Sequence, residues 1–221
     1  GEPASGFTVI GAGKTSMDTC YWLIEQGVDP DTIRWIRPRD AWTADRGSIQ
    51  PLHLVGGFVE WVAGQNEVCA TAKSLDELFP ALEDRGVFHR LDPDVEPVFY
   101  RGATLCEAER VTLREVGNVV RLGKVSHIGG RRIDLARGAI PNQPGHVVVD
   151  CTAAGLATRP DRRIFDPDRI TIQWVQAGIA PFSAALIGFV EANRDDDTEK
   201  NRLCTGRGFS ARADVANYAA G

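Results

Sequence analysis

Gly11, Ala12, Gly13, Lys14, Thr15 and Ser16 are the residues whose types and spacing point most directly to a chemistry: holding the pyrophosphate of a dinucleotide. The first glycine permits a tight turn out of a strand, and the second lets a pyrophosphate approach the backbone. Ser16, in the third place, is small enough for a helix to pack closely on the sheet. Free amides at the start of that helix, with the positive end of its dipole, favour the pyrophosphate charge. Lys14 can bring a cation to the same phosphates. The triphosphate-binding P-loop is excluded, because that motif requires a glycine where Thr8 stands.

Arg37 and Arg39 form the second chemical signal. NAD and FAD sites place a carboxylate at the end of the second strand to hold the ribose hydroxyls, whereas NADP sites place arginine there for the 2′-phosphate. A guanidinium fork matches phosphate geometry and stays charged, so the pair favours NADP(H). Asp40 adjoins both and can pair with either. Downstream, Thr152, Ala153 and Ala154 follow an apolar run, and small residues at the carboxyl end of a strand let a ligand approach the backbone.

The elements that must position these residues are legible around the first motif. Residues 7–10 read as a strand, and Met17, Cys20, Tyr21 and Ile24 form the apolar stripe of a helix over 15–26, stopped by Gly27. A second strand follows at 32–36. After Asp40 the alternation breaks, and residues 41–118 read as a mostly helical insertion with loops. Ser74 with Glu77, and Thr104 with Glu107, have capping-box spacing and predict helices near 75–84 and 105–116. Residues 52–62 are apolar enough for a buried helix.

From Val119 the pattern turns to short strands at 119–122, 125–128 and 132–135, with a Gly129-Gly130 turn. The continuous apolar run 146–150 predicts a strand buried on both faces. Residues 170–175 read as a strand and 182–192 as an apolar helix beginning at Pro181 or Ser183. Residues 194–200 read as a solvated charge run, and 205–221 as a loosely attached tail. The expected fold is α/β, a Rossmann-like parallel sheet with a helical insertion and a β-meander. Residues 1–150 would form the nucleotide domain and 151–221 a returning segment.

With 221 residues, 43% of them hydrophobic, the chain can bury a proper core. The formal charge of −5 gives no basic surface for nucleic acid or anionic lipid. No stretch is long and apolar enough to span a bilayer, which with the N-terminal composition predicts a cytoplasmic protein. Cys20, Cys69, Cys106, Cys151 and Cys204 are scattered, with no C-x-x-C and no histidine at metal-ligand spacing, so free thiols and no metal site are expected. His53, His89, His127 and His146 stand isolated and read as structural or exposed. Trp42, Trp61 and Trp174 read as core or interface residues before pocket residues.

Together these motifs resemble the pyridine-nucleotide domain of flavoproteins with two dinucleotide-binding domains, the group of flavin-containing monooxygenases and pyridine nucleotide-disulfide oxidoreductases. Gly11-Ala12-Gly13 with Arg37 resembles its NADPH fingerprint, residues 119–135 its meander, and 147–155 the strand that returns the chain to the FAD domain. The likeness covers residues 6–40 and 119–192; the helical insertion fits it less well. It implies NADP(H) bound here, FAD bound in the full-length protein, and a small-molecule substrate met by both domains, with hydride passing from nicotinamide to flavin.

The sequence departs from that family in one respect. An N-terminal FAD-binding glycine motif is expected, and the single such motif in this chain is the one flanked by arginines. The expectation is therefore part of a longer enzyme whose FAD-binding segment lies elsewhere, with no acid or base nominated here. A non-catalytic dinucleotide-binding or nucleotide-sensing module is the alternative. A short-chain dehydrogenase is set aside, since Tyr21, Tyr100 and Tyr218 all lack a lysine at the required spacing.

Overall fold

The computed structural model describes residues 3–100, 102–153, 160–175 and 180–206. In chain order its elements are β1 (Gly6–Ile10), α1 (Lys14–Glu25), β2 (Ile33–Ile36), β3 (Thr43–Asp45), α2 (Val55–Thr71), α3 (Leu75–Asp84), β4 (Phe88–His89) and β5 (Thr104–Leu105). There follow α4 (Glu107–Arg114), β6 (Asn118–Val120), β7 (Val125–Ile128), β8 (Arg132–Leu135), β9 (Gly138–Pro141) and β10 (His146–Asp150). After these come β11 (Phe165–Asp166), β12 (Arg169–Ile170), α5 (Ala180–Asn193) and α6 (Asp197–Leu203). The chain divides into two compact units, Gly1–Ala153 and Ala154–Gly221.

The first unit is α/β and Rossmann-like. Its main sheet has four strands in the order β10-β1-β2-β6, every pair parallel, with Ile10 opposite both Ile36 and Asp150. Alternate residues of β1 and β2 send Val9, Ile33 and Trp35 to one face, where they pack with Met17, Cys20 and Leu23 of α1 and Leu113 of α4. Ile10 and Ile36 face the other way, against Ile133 and Leu135 of the antiparallel sheet β7-β8-β9. The meander thus covers one face of the parallel sheet and the helices the other. It also extends one strand further than the sequence suggests, through Pro141.

The insertion after β2 is not simply helical. β3 pairs antiparallel with β4 and parallel with β5, which makes a small second sheet. Trp42 stacks on Phe79 at 5.1 Å and Phe88 meets Tyr100 edge-on at 4.5 Å, so aromatic side chains supply this module's core. Trp42 and Trp61 are core residues there, not pocket walls. The strand pairing of Thr104 and Leu105 also moves the cap of α4 to Cys106, whose amide donates to the Glu109 carboxylate at 2.7 Å. The expected cap at Thr104 with Glu107 is therefore replaced by one two residues later. The helix foreseen at 52–62 exists as α2 but starts at Val55, and Leu54 before it and Val55 and Val59 on it are exposed rather than buried.

β10 is an edge strand with Val147 46% exposed, so it is not covered on both faces as its continuous apolar run suggests. In the second unit, the strand foreseen at 170–175 shrinks to Arg169–Ile170 in a hairpin with Phe165–Asp166. α5 sets Ile187 and Val190 against Ile164, Phe165 and Cys204. The charge run is not simply solvated, because Lys200 is buried on α6 and pairs with Glu191 at 2.9 Å and Asp197 at 3.3 Å. Residues 207–221 lie outside the described residues.

Candidate functional site

The carboxyl ends of β1, β2 and β10 meet, and the glycine turn leaves β1 between the other two. The chain runs from β1 to β2 on one side and returns to β10 on the other, so the turn sits where the strand order reverses. That is the position at which open α/β sheets bind their ligands. Gly11 is held there closely. Its N–H donates to the Ile36 carbonyl at 3.0 Å, and its carbonyl accepts the Trp35 indole N–H at 3.0 Å. A Cβ on Gly11 would come to 2.9 Å from the Cys151 carbonyl and 3.1 Å from the Ser16 Cβ, and its φ of +151° suits only glycine.

Gly13 is different. It caps α1 with extended backbone and no side-chain acceptor, and a Cβ there would meet nothing within 4 Å. Open space therefore stands above a helix N-terminus whose first amides have no side-chain cap, the cradle a pyrophosphate requires. Ser16 is buried and closes the turn from below, its hydroxyl donating to the Gly13 carbonyl at 2.8 Å. Ala12 is half-buried and Thr15 exposed at the rim. Thr15 uses its carbonyl to accept the Thr19 hydroxyl.

Lys14 is half-buried beside the turn, ion-paired to Asp18 and 3.7 Å from Glu109 of α4. Burial alone would push the Glu109 carboxyl up, but the Cys106 amide, Lys14 and Arg46 together hold it below the usual carboxylate range. Glu109 is therefore ionised and shared between Lys14 and Arg46, the latter at 3.0 Å. Nothing in the sequence marks this pairing of an insertion arginine with the turn lysine.

The two arginines after β2 have unlike surroundings. Arg37 is 3% exposed, with one guanidinium nitrogen 2.8 Å from Asp40 and the guanidinium lying over the Trp35 ring at 4.7 Å. Arg121, from just past β6, grips Asp40 at 2.9 Å and also pairs with Asp92 at 2.5 Å. Burial lowers the Arg37 pKa while Asp40 opposes that shift, so the cluster is two cations balanced by two carboxylates. Arg39 is exposed and lies over the Phe99 ring at 4.1 Å.

Thr152 and Ala153 are exposed just past β10, beside the turn, and the Thr152 amide donates to Asp150 at 2.9 Å. Cys151 lies directly against Gly11, its amide donating to the Ile10 carbonyl at 2.8 Å. Ala154 lies outside the described residues. The structure thus brings Gly11, Ala12, Gly13, Lys14, Thr15, Ser16, Arg37, Thr152 and Ala153 to one end of the sheet. Sequence reasoning had Asp40 as a partner for these arginines, and Arg37 pairs with it; it missed Trp35, Cys151, Arg121 and Asp92. One available signal was that Arg37 follows Trp35 by two positions along extended chain, which puts the two side chains on one face.

Cys20, beneath the turn, has its thiol pushed up to about 12, chiefly by burial and then by Cys151, with Arg37 opposing. It is a core thiol and not a nucleophile. Among the described residues no group of three or more His, Cys, Asp or Glu could hold a metal ion, and no helix is long and apolar enough to cross a membrane.

No family model and no solved structure matches the chain. Its sequence is 42% identical over 200 residues, 90% of this chain, to proteins named only as uncharacterized from Mycobacterium bovis and from two strains of Mycobacterium tuberculosis. The chain spans 37% of the length of these curated relatives.

Proposed function

We propose that this chain binds NADP(H) at the glycine turn after β1 and is the pyridine-nucleotide portion of an FAD-dependent oxidoreductase of monooxygenase type. One observation carries the reading: Gly11 is packed too tightly for any side chain, while Gly13, two residues on, faces open space at an uncapped helix start. A turn kept only for its fold needs the first feature and not the second. The residues present fit a pyrophosphate. Gly13 and the first amides of α1 take the phosphates, Lys14 and Thr15 flank them, and Thr152 and Ala153 form the neighbouring wall. Nicotinamide and flavin, when bound, supply the hydride transfer.

The 2′-phosphate falls to Arg39 in this reading. Arg39 is exposed over the Phe99 ring, where a phosphate can reach it, whereas Arg37 is 3% exposed and pairs with Asp40. The flavin is assigned to the full-length protein and the small-molecule substrate to a surface shared by both domains, with the cytoplasm as compartment.

Calorimetric titration with NADPH and NADH tests the proposal. NADPH is expected to bind at least about tenfold more tightly, a difference of about 1.4 kcal/mol, with the preference lost in Arg39→Ala. A chain that binds neither nucleotide sinks the reading.

A further inference from the structure

Every polar backbone atom of Gly11 is tied to β2. The Ile36 carbonyl takes its N–H and the Trp35 indole N–H holds its carbonyl, each at 3.0 Å. Trp35 is fully buried, so its ring has no freedom to swing away, and an indole N–H in that position must find a partner or be left unsatisfied. The face of the same ring is covered by the Arg37 guanidinium. Arg37 is in turn held by Asp40 at 2.8 Å, and its own amide donates to the Val120 carbonyl at 2.9 Å. The Arg37 Nε has no hydrogen-bond partner among the described residues, which leaves the indole face as its neighbour. Arg121 braces Asp40 and is itself paired with Asp92, which also lies 3.8 Å from Arg37.

We infer that Trp35 and Arg37 form a clamp that sets the shape of the glycine turn, with Arg37 a positioning residue acting through Trp35 and not a ligand of the 2′-phosphate. The inference rests on the dinucleotide reading above and sharpens it. The two arginines that look equivalent in sequence do different work. Arg39 decides which nucleotide binds, and Arg37 decides how well the turn receives either. A guanidinium that is 3% exposed and pairs with a carboxylate at 2.8 Å would have to be stripped of that partner to reach a phosphate. Its stack on Trp35 requires no rearrangement. Nucleotide binding then depends on a chain of contacts running from Asp40 to Arg37, to the Trp35 ring, and to the Gly11 carbonyl, none of which touches the nucleotide.

The test compares NADPH and NADH affinities of wild type, Arg37→Lys, Trp35→Phe and Arg39→Ala, with far-UV circular dichroism confirming each fold. Arg37→Lys keeps the charge but loses the planar stack, and Trp35→Phe keeps an aromatic ring but loses the N–H. Both are expected to weaken the two nucleotides by the same factor, about five- to tenfold, and so to leave the NADPH/NADH ratio intact. Arg39→Ala is expected to change the ratio. Should Trp35→Phe fail to fold, hydrogen exchange at the assigned Trp35 indole N–H supplies an independent signal. It is expected to quicken in Arg37→Lys by about tenfold or more.

Loss of the NADPH preference alone in Arg37→Lys would overturn the clamp and return Arg37 to the phosphate. Unchanged affinities and unchanged indole exchange in a folded Arg37→Lys would also overturn it. Wild type that binds neither nucleotide sinks the dinucleotide reading and this inference with it, whereas binding by wild type together with an unaffected Arg37→Lys sinks the clamp only.

Discussion

Gly11 and Gly13 belong to one turn yet meet opposite surroundings, and their alanine variants separate folding from binding. Gly11→Ala must place a methyl 2.9 Å from the Cys151 carbonyl at a φ of +151°, so it is expected to lose about 1–3 kcal/mol of stability by urea denaturation. Gly13 has φ −105° and ψ −178°, which any residue adopts, and its Cβ site is empty. Gly13→Ala should therefore keep its stability within about 0.5 kcal/mol while losing tenfold or more in NADPH affinity, because the methyl stands where the phosphates approach. Equal nucleotide affinity in Gly13→Ala and wild type would show that the open space is not the phosphate site. Asp40 belongs to the same scale. Asp40→Asn leaves Asp92 as the remaining carboxylate for Arg37 and Arg121, at 3.8 Å and 2.5 Å, and so is expected to cost about 1–3 kcal/mol, less than the ~3–5 kcal/mol of a fully uncompensated buried charge, readable from the denaturation midpoint.

Among the elements, α4 is the joint of the unit. It packs on α1 through Leu113, and its first turn carries Glu109, which answers Lys14 of α1 and Arg46 of the insertion at once. The helix is capped by Cys106, a poor capping residue compared with serine. Cys106→Ser is expected to raise stability by about 0.5–1 kcal/mol, seen as a higher thermal midpoint; a lower midpoint would mean that the thiol packs better than it caps. The helix signal over 75–84 was legible because Ser74 and Glu77 settle it locally, with the Ser74 hydroxyl accepting the Glu77 amide at 3.2 Å. The signal at Thr104 misled because that residue had a competing use in the sheet with β3, a contact roughly sixty positions away in sequence.

At the scale of the whole molecule, acid should weaken the fold before carboxylates titrate. Burial, then Arg110, lowers the pKa of His89 below its ordinary 6.5; burial, then Arg34, does the same to His146. A histidine whose folded pKa is depressed stays neutral in the folded chain while the unfolded chain takes up a proton. The stability it contributes is present above 6.5 and is lost as pH falls through the lower folded value. Denaturation midpoints should thus decline from about pH 7 to pH 5, with a shallower decline in His146→Gln, where the Thr8 hydroxyl contact at 3.2 Å involves a side chain that cannot be protonated. An unaltered slope would assign the loss to other groups. The first unit carries its own hydrophobic cores, so a chain ending at Ala153 is expected to melt in one cooperative transition by circular dichroism.

Local rules were enough for the glycine turn, for α1 with its stop at Gly27, and for the β7–β8 hairpin at Gly129-Gly130. In each case the residues that decide the conformation are neighbours in sequence. The parallel fold class was also legible, from a strand, turn, helix and strand in succession. Long-range pairing decided the rest. An apolar run such as 146–150 reads the same at the edge or the centre of a sheet, and among the described residues β10 is the edge strand, with Val147 exposed. The insertion needed its small sheet to bury Trp42 and Phe88, a requirement that appears only once the chain has closed on itself. The difference between Arg37 and Arg39 is of the same kind. Two like side chains with a single residue between them are identical as letters, but the Asp40 carboxylate, the Trp35 ring and Arg121 from just past β6 surround one, while the other lies exposed over Phe99.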